Sequence, residues 1–387
     1  MNAQLIDSRD GSHVWSDKYD RELTDVFAVQ DEVTSAILES LKVHLGSSSH
    51  RSRLPQNMEA YDTTLQGRQF IRQRKFAQAK ESLEKAVSLA PDYAPPHALL
   101  ARLIDRLRVG EGVLPQEAIP LMRSHTNQAL KLDPTSLDAL TMAADNYFWL
   151  DGDYQKGLDE IGTLLEMYPN DIDLLSLFSW MLRTIDHIDE AILISNRVIE
   201  LDPLNVQAYL IKGTLLLHHT HRTDEARLAF EKMEDLGVNA PALLADVSMA
   251  ERDLVGIQKQ LDRGSSDWES DIGSSYPYYQ AAIAYLNGDK KRVNELVGEI
   301  MQSTPNVSFL KRSGYALFRG DMDQAIDSYG KAISERHNVA ITICNAKAFK
   351  ETVFPGFYTH PKYQQLLKEH GLDEESISKM RIPELPF

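Results

Sequence analysis

Apolar residues recur along most of this chain in amphipathic runs, and several of these runs end at a proline. Leu-Asp-Pro closes two of them, at Leu132–Pro134 and Leu201–Pro203, and Tyr168–Asn170 closes a third between them. The prolines of these three segments are 35 and 34 residues apart. Because proline lacks a backbone donor and disfavours helix at the preceding residue, each of them ends a predicted helix.

A second break lies in the middle of the period. Gly152-Asp153 is midway between Pro134 and Pro169, and Gly288-Asp289 and Gly320-Asp321 recur nearer the C-terminus. Glycine permits the positive φ with which many helices end. Each period therefore predicts a helix, a tight turn, a second helix and a stop.

This organisation resembles the tetratricopeptide-repeat family over residues 58–335, since small and large apolar residues recur at the positions of that repeat. In the first, fourth and last periods these residues are Gly67, Phe70, Ala79, Leu83, Ala86 and Pro91, then Phe178, Ser179, Leu182, Ala191, Val198 and Pro203, and then Ser313, Ala325, Tyr329 and Ala332. The resemblance implies an all-α fold: a right-handed superhelical solenoid of about eight helix-turn-helix repeats.

The period is not uniform. Pro91 and Pro134 are 43 residues apart, and we expect the excess to form a longer loop between two helices at Arg108–Pro115. The polar stretch at residues 263–275 is a predicted hinge, at which two sub-solenoids would meet. We therefore place repeats 1–6 in residues 51–264 and repeats 7–8 in residues 265–335.

The two ends depart from the repeat. Residues 336–387 predict capping helices and a tail, with helices at Ala340–Phe349 and His360–His370. A solenoid needs a cap over the apolar face of its last unit. The alternative is a tail that binds a peptide. The side chains expected to cover the array are Val353, Phe354, Phe357, Tyr358 and Tyr363.

Residues 1–50 predict a ribbon of two strands, Ala3–Ile6 and His13–Trp15, joined by a turn at Ser8–Gly11 and followed by an amphipathic helix over Asp25–Leu45. This segment resembles the closing part of a TolB-like α/β domain. The resemblance implies a truncated domain of a kind that precedes bacterial tetratricopeptide arrays, downstream of class III adenylate or guanylate cyclase domains or of winged-helix domains. An unpaired edge at Ala3–Ile6 would permit a homodimer through this strand.

The composition argues against two classes of partner. The net charge is −16, and no run of five basic residues occurs, so we expect no direct binding of nucleic acid. No apolar stretch is long enough to span a membrane. The single cysteine, Cys344, cannot form an intramolecular disulfide, which favours a cytoplasmic location.

Sequence motifs of catalysis are missing. The chain has no phosphate-binding glycine loop, no G-x-S-x-G and no H-E-x-x-H. The histidines of His218–His221 would suit zinc, but no further ligand is evident in the sequence, and we expect an exposed helix end and its turn instead. We therefore expect no enzyme activity, no cofactor and no metal.

In the family that the chain resembles, the first helices of the repeats line a concave groove in which partners bind. The corresponding residues here are Arg68, Arg72, Arg102, Arg106, Asn146, Trp149, Trp180, Arg183, Tyr278 and Tyr285. Arginine binds carboxylates through two hydrogen bonds, and Arg and Trp are frequent at binding hot spots. The expected ligand is a protein or peptide with an acidic segment or a free C-terminus. The alternative is that Trp149 and Trp180 pack against neighbouring helices and that the arginines are simply solvated.

These patterns favour a non-catalytic scaffold for protein–protein interaction. Two alternatives stay open: the C-terminal regulatory part of a class III adenylate or guanylate cyclase-like protein, and the sensory part of a transcription regulator.

Overall fold

The computed structural model describes residues 2–6, 13–18, 57–73, 75–110, 115–263, 276–303, 309–334, 347–385 and 387. The chain forms two compact units, Met1–Arg51 and Ser52–Phe387. Their boundary lies next to the predicted end of the N-terminal segment at residue 50.

The first unit contains the predicted two-stranded ribbon. Asn2–Ile6 (β1) and His13–Lys18 (β2) are antiparallel, with Leu5 opposite Trp15 and a register shift between Leu5 and Ile6. The predicted turn at Ser8–Gly11 and the predicted helix at Asp25–Leu45 lie outside the described residues.

The described part of the second unit contains eight consecutive helix pairs. Repeats 1–4 are α1 (Met58–Arg72) with α2 (Phe76–Leu89), α3 (Ala94–Gly110) with α4 (Pro115–Leu132), α5 (Leu137–Asp145), extended by a π-helical segment (Asn146–Asp151), with α6 (Tyr154–Met167), and α7 (Ile172–Thr184) with α8 (Ile188–Leu201). Repeats 5–8 are α9 (Val206–Thr220) with α10 (Thr223–Asp235), α11 (Pro241–Ala250) with α12 (Leu254–Asp262), α13 (Tyr276–Leu286) with α14 (Lys290–Ser303), and α15 (Phe309–Arg319) with α16 (Met322–Ser334). The predicted all-α superhelix of tetratricopeptide type is confirmed.

Small residues allow the two helices of a pair to approach closely. A Cβ at Gly67 of α1 would lie 2.6 Å from Leu83 of α2, so only glycine fits there.

Packing also continues across the predicted hinge, of which residues 264–275 lie outside the described residues. Tyr279 of α13 donates a hydrogen bond to the carbonyl oxygen of Ala242 of α11 at 2.7 Å, and one hydrophobic cluster includes residues from repeat 3 through repeat 8.

The first helices of three repeats end at the glycines predicted from the sequence. The turns at Gly152, Gly288 and Gly320 have φ values of 71°, 73° and 78°. In repeats 4, 5 and 6 the equivalent position is Asp186, His221 or Arg252, also with positive φ. These three turns carry no glycine and gave no signal in the sequence.

Beyond Pro169 and Pro203, the next helix begins at a residue whose side chain caps it. The Asp171 side chain accepts from the backbone N–H of Leu174 at 3.0 Å, and the Asn205 side chain accepts from Ala208 at 3.1 Å. Such bonds satisfy backbone donors that a helix start leaves unpaired. Proline and cap together set where one helix stops and the next starts.

The long second period differs from the prediction. Arg108 does not begin a loop, since α3 continues to Gly110 and α4 begins at Pro115. The two helices have 17 and 18 residues, against 15 and 14 in repeat 1, so part of the excess lengthens helices. Arg108 is buried and donates to Asp105 at 2.6 Å, which stabilises the added turn.

The C-terminal part contains α17 (Lys347–Val353), α18 (Pro361–Glu369) and α19 (Glu374–Ile377). Helix α18 matches the predicted helix at His360–His370, and Gly371 follows it with φ 66°. The predicted helix at Ala340–Phe349 is described only from Lys347, where α17 begins and continues to Val353. All five side chains expected to cover the array are buried: Val353, Phe354, Phe357, Tyr358 and Tyr363.

Candidate functional site

The first helices of the repeats form an inner layer, in which several neighbours pack directly on one another. Helix α1 packs on α3, α3 on α5, α7 on α9, and α13 on α15. All ten predicted site residues lie on these first helices or on the π segment that extends α5. The layer is the candidate partner-binding face, and its residues differ widely in accessibility.

Two of the predicted arginines are paired within the protein. Arg68 donates through Nη1 and Nη2 to the two carboxylate oxygens of Asp138, at 3.1 and 2.5 Å. Arg102 donates to Asp173 at 2.6 Å and lies 4.0 Å from Asp138. Each arginine therefore binds an aspartate about two repeats further along the chain. We call this set of four residues the charge ladder.

The ladder changes the electrostatics of the groove. Burial lowers the pKa of Arg102, but Asp173 and Asp138 outweigh burial and leave this pKa raised. Arg102 in turn lowers the pKa of Asp173 to about 2. The charges of Arg68 and Arg102 are thus compensated inside the chain. An acidic ligand would have to compete with Asp138 and Asp173 for Arg68 and Arg102. Neither aspartate was among the predicted site residues.

Arg72 and Arg106 differ from the ladder arginines. Each lies one helical turn beyond its paired neighbour, and both are exposed. Among the described residues, neither has an acidic side chain within ion-pair distance. They are the predicted cations of the inner layer that an acidic ligand can reach without breaking an internal pair.

Asn146 and Trp149 lie in the interior. Trp149 is 3% exposed, and its ring packs edge-on against Phe148 with centroids 4.7 Å apart. Asn146 is buried and donates to the Thr126 hydroxyl at 3.2 Å. A ligand could not contact Trp149 without displacing other side chains, so its predicted place on an accessible groove surface needs correction.

Arg183 is also buried, with 2% of its surface exposed. Its guanidinium contacts His218 at 2.9 Å, His219 at 3.3 Å and Thr214 at 3.3 Å, and it lies over the half-buried Trp180 ring at 5.0 Å. Burial lowers the pKa of Arg183 to about 9. Arg183 therefore joins α7 to α9 rather than facing the groove.

These contacts also explain the histidine cluster. His219 is packed under Arg183 with 1% of its side chain exposed, so the expected exposed helix end is wrong for this residue. Burial lowers the pKa of His218 well below its ordinary value, and Arg183 adds to this effect. Among the described residues, no group of three His, Cys, Asp or Glu side chains could hold a metal ion. Cys344 lies outside the described residues.

Tyr278 and Tyr285 are half-buried in an aromatic cluster. Their rings lie 4.9 and 5.5 Å from that of Phe318, and the Tyr285 ring lies 5.5 Å from that of Phe354. The Tyr285 hydroxyl donates to the carbonyl oxygen of Val353 at 3.1 Å. Tyr285 is therefore in contact with the C-terminal part of the chain, whereas Tyr278 packs on α15.

Helix α17 accounts for this contact. It packs on α9 and α11, which are first helices of repeats 5 and 6. Phe349 lies 5.1 Å from His218 in an edge-on arrangement, and Thr352 lies 3.2 Å from a ring nitrogen of His221. The chain thus covers part of its own inner layer in repeats 5–7. Arg72 and Arg106, in repeats 1 and 2, remain exposed.

A second feature, not selected from the sequence, is a surface depression between α14, α15 and α16. Its lining combines the cations Arg312, Arg319 and Lys331 with the aromatic rings of Phe309 and Tyr315. Lys331 lies 5.4 Å from the Phe309 ring. The cations are exposed and spread over two helices, so this depression is less defined than the inner layer.

Comparison with known proteins supports the repeat. Residues 66–93 match the tetratricopeptide-repeat family. The chain is 36% identical, over 146 residues, to "Putative adenylate cyclase 3" of Rhizobium meliloti strain 1021. That match covers 36% of this chain and 24% of the relative, so the chain spans about a quarter of the relative's length.

Solved structures of low sequence identity are also similar. A tetratricopeptide repeat protein from Parabacteroides merdae is 17% identical, with 76% of this chain and 99% of that chain covered and a TM-score of 0.33. The Cut9–Hcn1 complex of the anaphase-promoting complex is 14% identical, with 92% and 79% covered and a TM-score of 0.40. None of the described helices could cross a membrane.

Proposed function

We propose that the protein is a non-catalytic scaffold that binds another protein through the inner layer of its first repeats. The observation that carries this proposal is a difference in exposure between the two ends of the inner layer. In repeats 5–7 the layer is in contact with α17, whereas Arg72 and Arg106 on α1 and α3 are exposed beside the charge ladder. The open, cationic part of the layer is therefore the part available to a partner.

The ligand chemistry follows from these two arginines. A guanidinium binds a carboxylate through two hydrogen bonds, and such charge-assisted bonds are stronger than neutral ones. An extended segment with acidic side chains or a free C-terminus would bind Arg72 and Arg106 while Arg68 and Arg102 hold the first helices in place. The large net negative charge of the chain keeps such a segment away from other faces.

The test reverses the two exposed charges. In Arg72→Glu/Arg106→Glu we expect binding of a labelled peptide of alternating Glu and Leu with a free carboxylate to weaken about tenfold or more. Fluorescence anisotropy at low salt measures it. Reversing Arg68 and Arg102 would be a poorer test, because it would also break the ladder.

The matched control is Lys80→Glu/Lys232→Glu. It makes the same change of charge at exposed positions on the second helices α2 and α10. Equal loss of binding in both double variants would indicate a response to net charge alone. Unchanged binding in Arg72→Glu/Arg106→Glu would remove this face as the site.

A second function is favoured by the relative from Rhizobium meliloti. We propose that the array is the regulatory, partner-binding part of a class III cyclase-like protein, with the ribbon at β1 and β2 as the end of a TolB-like domain. The DNA upstream of Met1 tests this. An in-frame cyclase domain would support it, and a winged-helix domain would favour a transcription regulator instead. An in-frame stop codon would contradict both and favour the scaffold function.

A further inference from the structure

The last residues of the chain return to the middle of the array. Gln155 of α6 contacts the backbone of Arg381 twice: its Nε2 donates to the carbonyl oxygen at 3.1 Å, and its Oε1 accepts from the N–H at 2.9 Å. The two residues are 226 positions apart. One amide side chain therefore binds both hydrogen-bonding groups of an extended residue, as a neighbouring strand would.

A second fitted contact lies two helical turns further along α6. A Cβ at Gly162 of α6 would lie 2.7 Å from Cγ and 2.8 Å from Cβ of Pro383, so the proline fills the space that the missing side chain leaves. Seven residues before the helix-ending proline, repeats 1, 2 and 4 have Glu84, Asn127 and Asn196. The equivalent residue of repeat 7, Gly298 before Pro305, is also glycine but has nothing within contact distance of a Cβ, so the proline contact is particular to Gly162.

Further contacts extend along α6 and α8. Ile382 and Leu385 are half-buried against the main hydrophobic cluster. Arg381 lies 4.0 Å from Asp159 of α6, and Arg197 of α8 lies 5.8 Å from the ring of Phe387. The tail is thus held by the hydrogen bonds of Gln155 to its backbone, by the fit of Pro383 against Gly162, and by burial of apolar side chains.

The other end of this segment is anchored on the last repeat. Lys362 of α18 pairs with Asp327 of α16 at 2.8 Å, and α18 packs on α16. The chain therefore runs from the surface of repeat 8, at Lys362, to repeat 3, at Arg381, over 19 residues.

We propose that the surface of α6 and α8 around Gln155 and Gly162 is a docking site for an extended, proline-containing peptide, and that residues 381–385 and 387 of the same chain fill it. Gln155 selects an extended backbone, and Gly162 selects proline two residues later. The site lies on second helices and is independent of the arginines of the inner layer.

Limited trypsin cleavage after Arg381 in the full chain tests the proposal, because a docked peptide bond is protected. In Gly162→Ala, and separately in Gln155→Ala, we expect cleavage at least about tenfold faster than in the unchanged protein, since cleavage follows the undocked population. Hydrogen exchange of the Arg381 amide should accelerate in parallel.

Gly298→Ala on α14 is the matched control, because nothing lies within contact distance of a Cβ there. It should leave cleavage after Arg381 unchanged. Circular dichroism checks that the variants keep their helices, and Gln155→Ala, which leaves the backbone untouched, decides the outcome if Gly162→Ala does not fold.

Two results would overturn the proposal. Cleavage after Arg381 that is equally fast in the unchanged protein and in both variants would show that the tail is not docked. A dimer in light scattering that Gly162→Ala converts to monomer would show that the tail of a second copy, rather than the chain's own, fills the site.

Discussion

Asp138 and Asp173 occupy the same place in consecutive repeats, as the second residue of α5 and of α7. Each accepts an arginine from about two repeats earlier, so the ladder couples α1 and α3 to α5 and α7. An acidic residue in the first helical turn is also favoured by the helix dipole. Removing one partner of such a pair leaves a partly buried charge without compensation, which costs more than the pair contributes.

The ladder predicts a pH-dependent stability. Arg102 lowers the pKa of Asp173 in the folded protein to about 2, below the ordinary 3.8, so the ionised form is favoured by folding. This contribution is complete above about pH 4 and is lost as the pH falls toward about 2. Because the Asp173 side chain is 38% exposed, water screens the pair, and we expect Asp173→Asn to cost about 1 kcal/mol at pH 7.

Urea unfolding at pH 7 and near pH 2 measures this difference. Asp224→Asn is the matched control, since Asp224 is an exposed second residue of α10 and shares the helix-dipole effect. A loss in Asp173→Asn that equals the loss in Asp224→Asn, or that persists unchanged at low pH, would contradict a role for the Arg102 pair.

Among the helices, the π segment at Asn146–Asp151 records an extra residue. The half-repeat from Pro134 to the turn at Gly152 is one residue longer than that from Pro169 to Asp186. The half-repeat from Pro203 to His221 has the same extra residue, which helix α9 takes up without a π segment. A π turn accommodates such an insertion within a helix. The segment also turns Phe148 and Trp149 into the core, which explains why a standard register placed Trp149 in the groove.

Deleting Tyr147 should therefore be tolerated. We expect the π segment to become α-helical and the melting temperature to change by only a few degrees, since the standard register is restored. Deleting Ser176 from the middle of α7 is the control, because it removes a residue from a helix that has no excess and should unfold repeat 4. Similar losses of stability in the two deletions would show that the π segment is not an insertion.

The helices themselves were largely predictable, because their signals are local. Proline stops, Asp and Asn caps and the glycine turns act within a few residues, as at Asp171 and Gly152. The turns at Asp186, His221 and Arg252 escaped detection because glycine is favoured, not required, at positive φ. The candidate site was less predictable, because the exposure of an arginine depends on carboxylates about 70 residues away.

At the scale of the whole molecule, the C-terminal part decides which surfaces are accessible. Residues 347–353 lie on the inner layer of repeats 5 and 6, and Arg381 and Phe387 lie on second helices of repeats 3 and 4. Neither contact could be predicted from the sequence, because the repeat pattern specifies only the contacts between neighbouring units. The cationic face of repeats 1 and 2 is what the fold leaves exposed.

The return of the chain end to α6 also bears on how the protein unfolds. An array in which each unit contacts only its neighbours loses structure piecewise, from its ends inward. The bonds between Gln155 and Arg381 connect repeat 3 to the C-terminal tail, which α18 anchors on repeat 8, so fraying of the last repeat loosens a contact in the middle. We expect repeats 3–8 to melt as a single cooperative block. Removing residues 381–387 should broaden the calorimetric transition or split it in two, and an equally sharp transition would show that the tail does not couple the repeats.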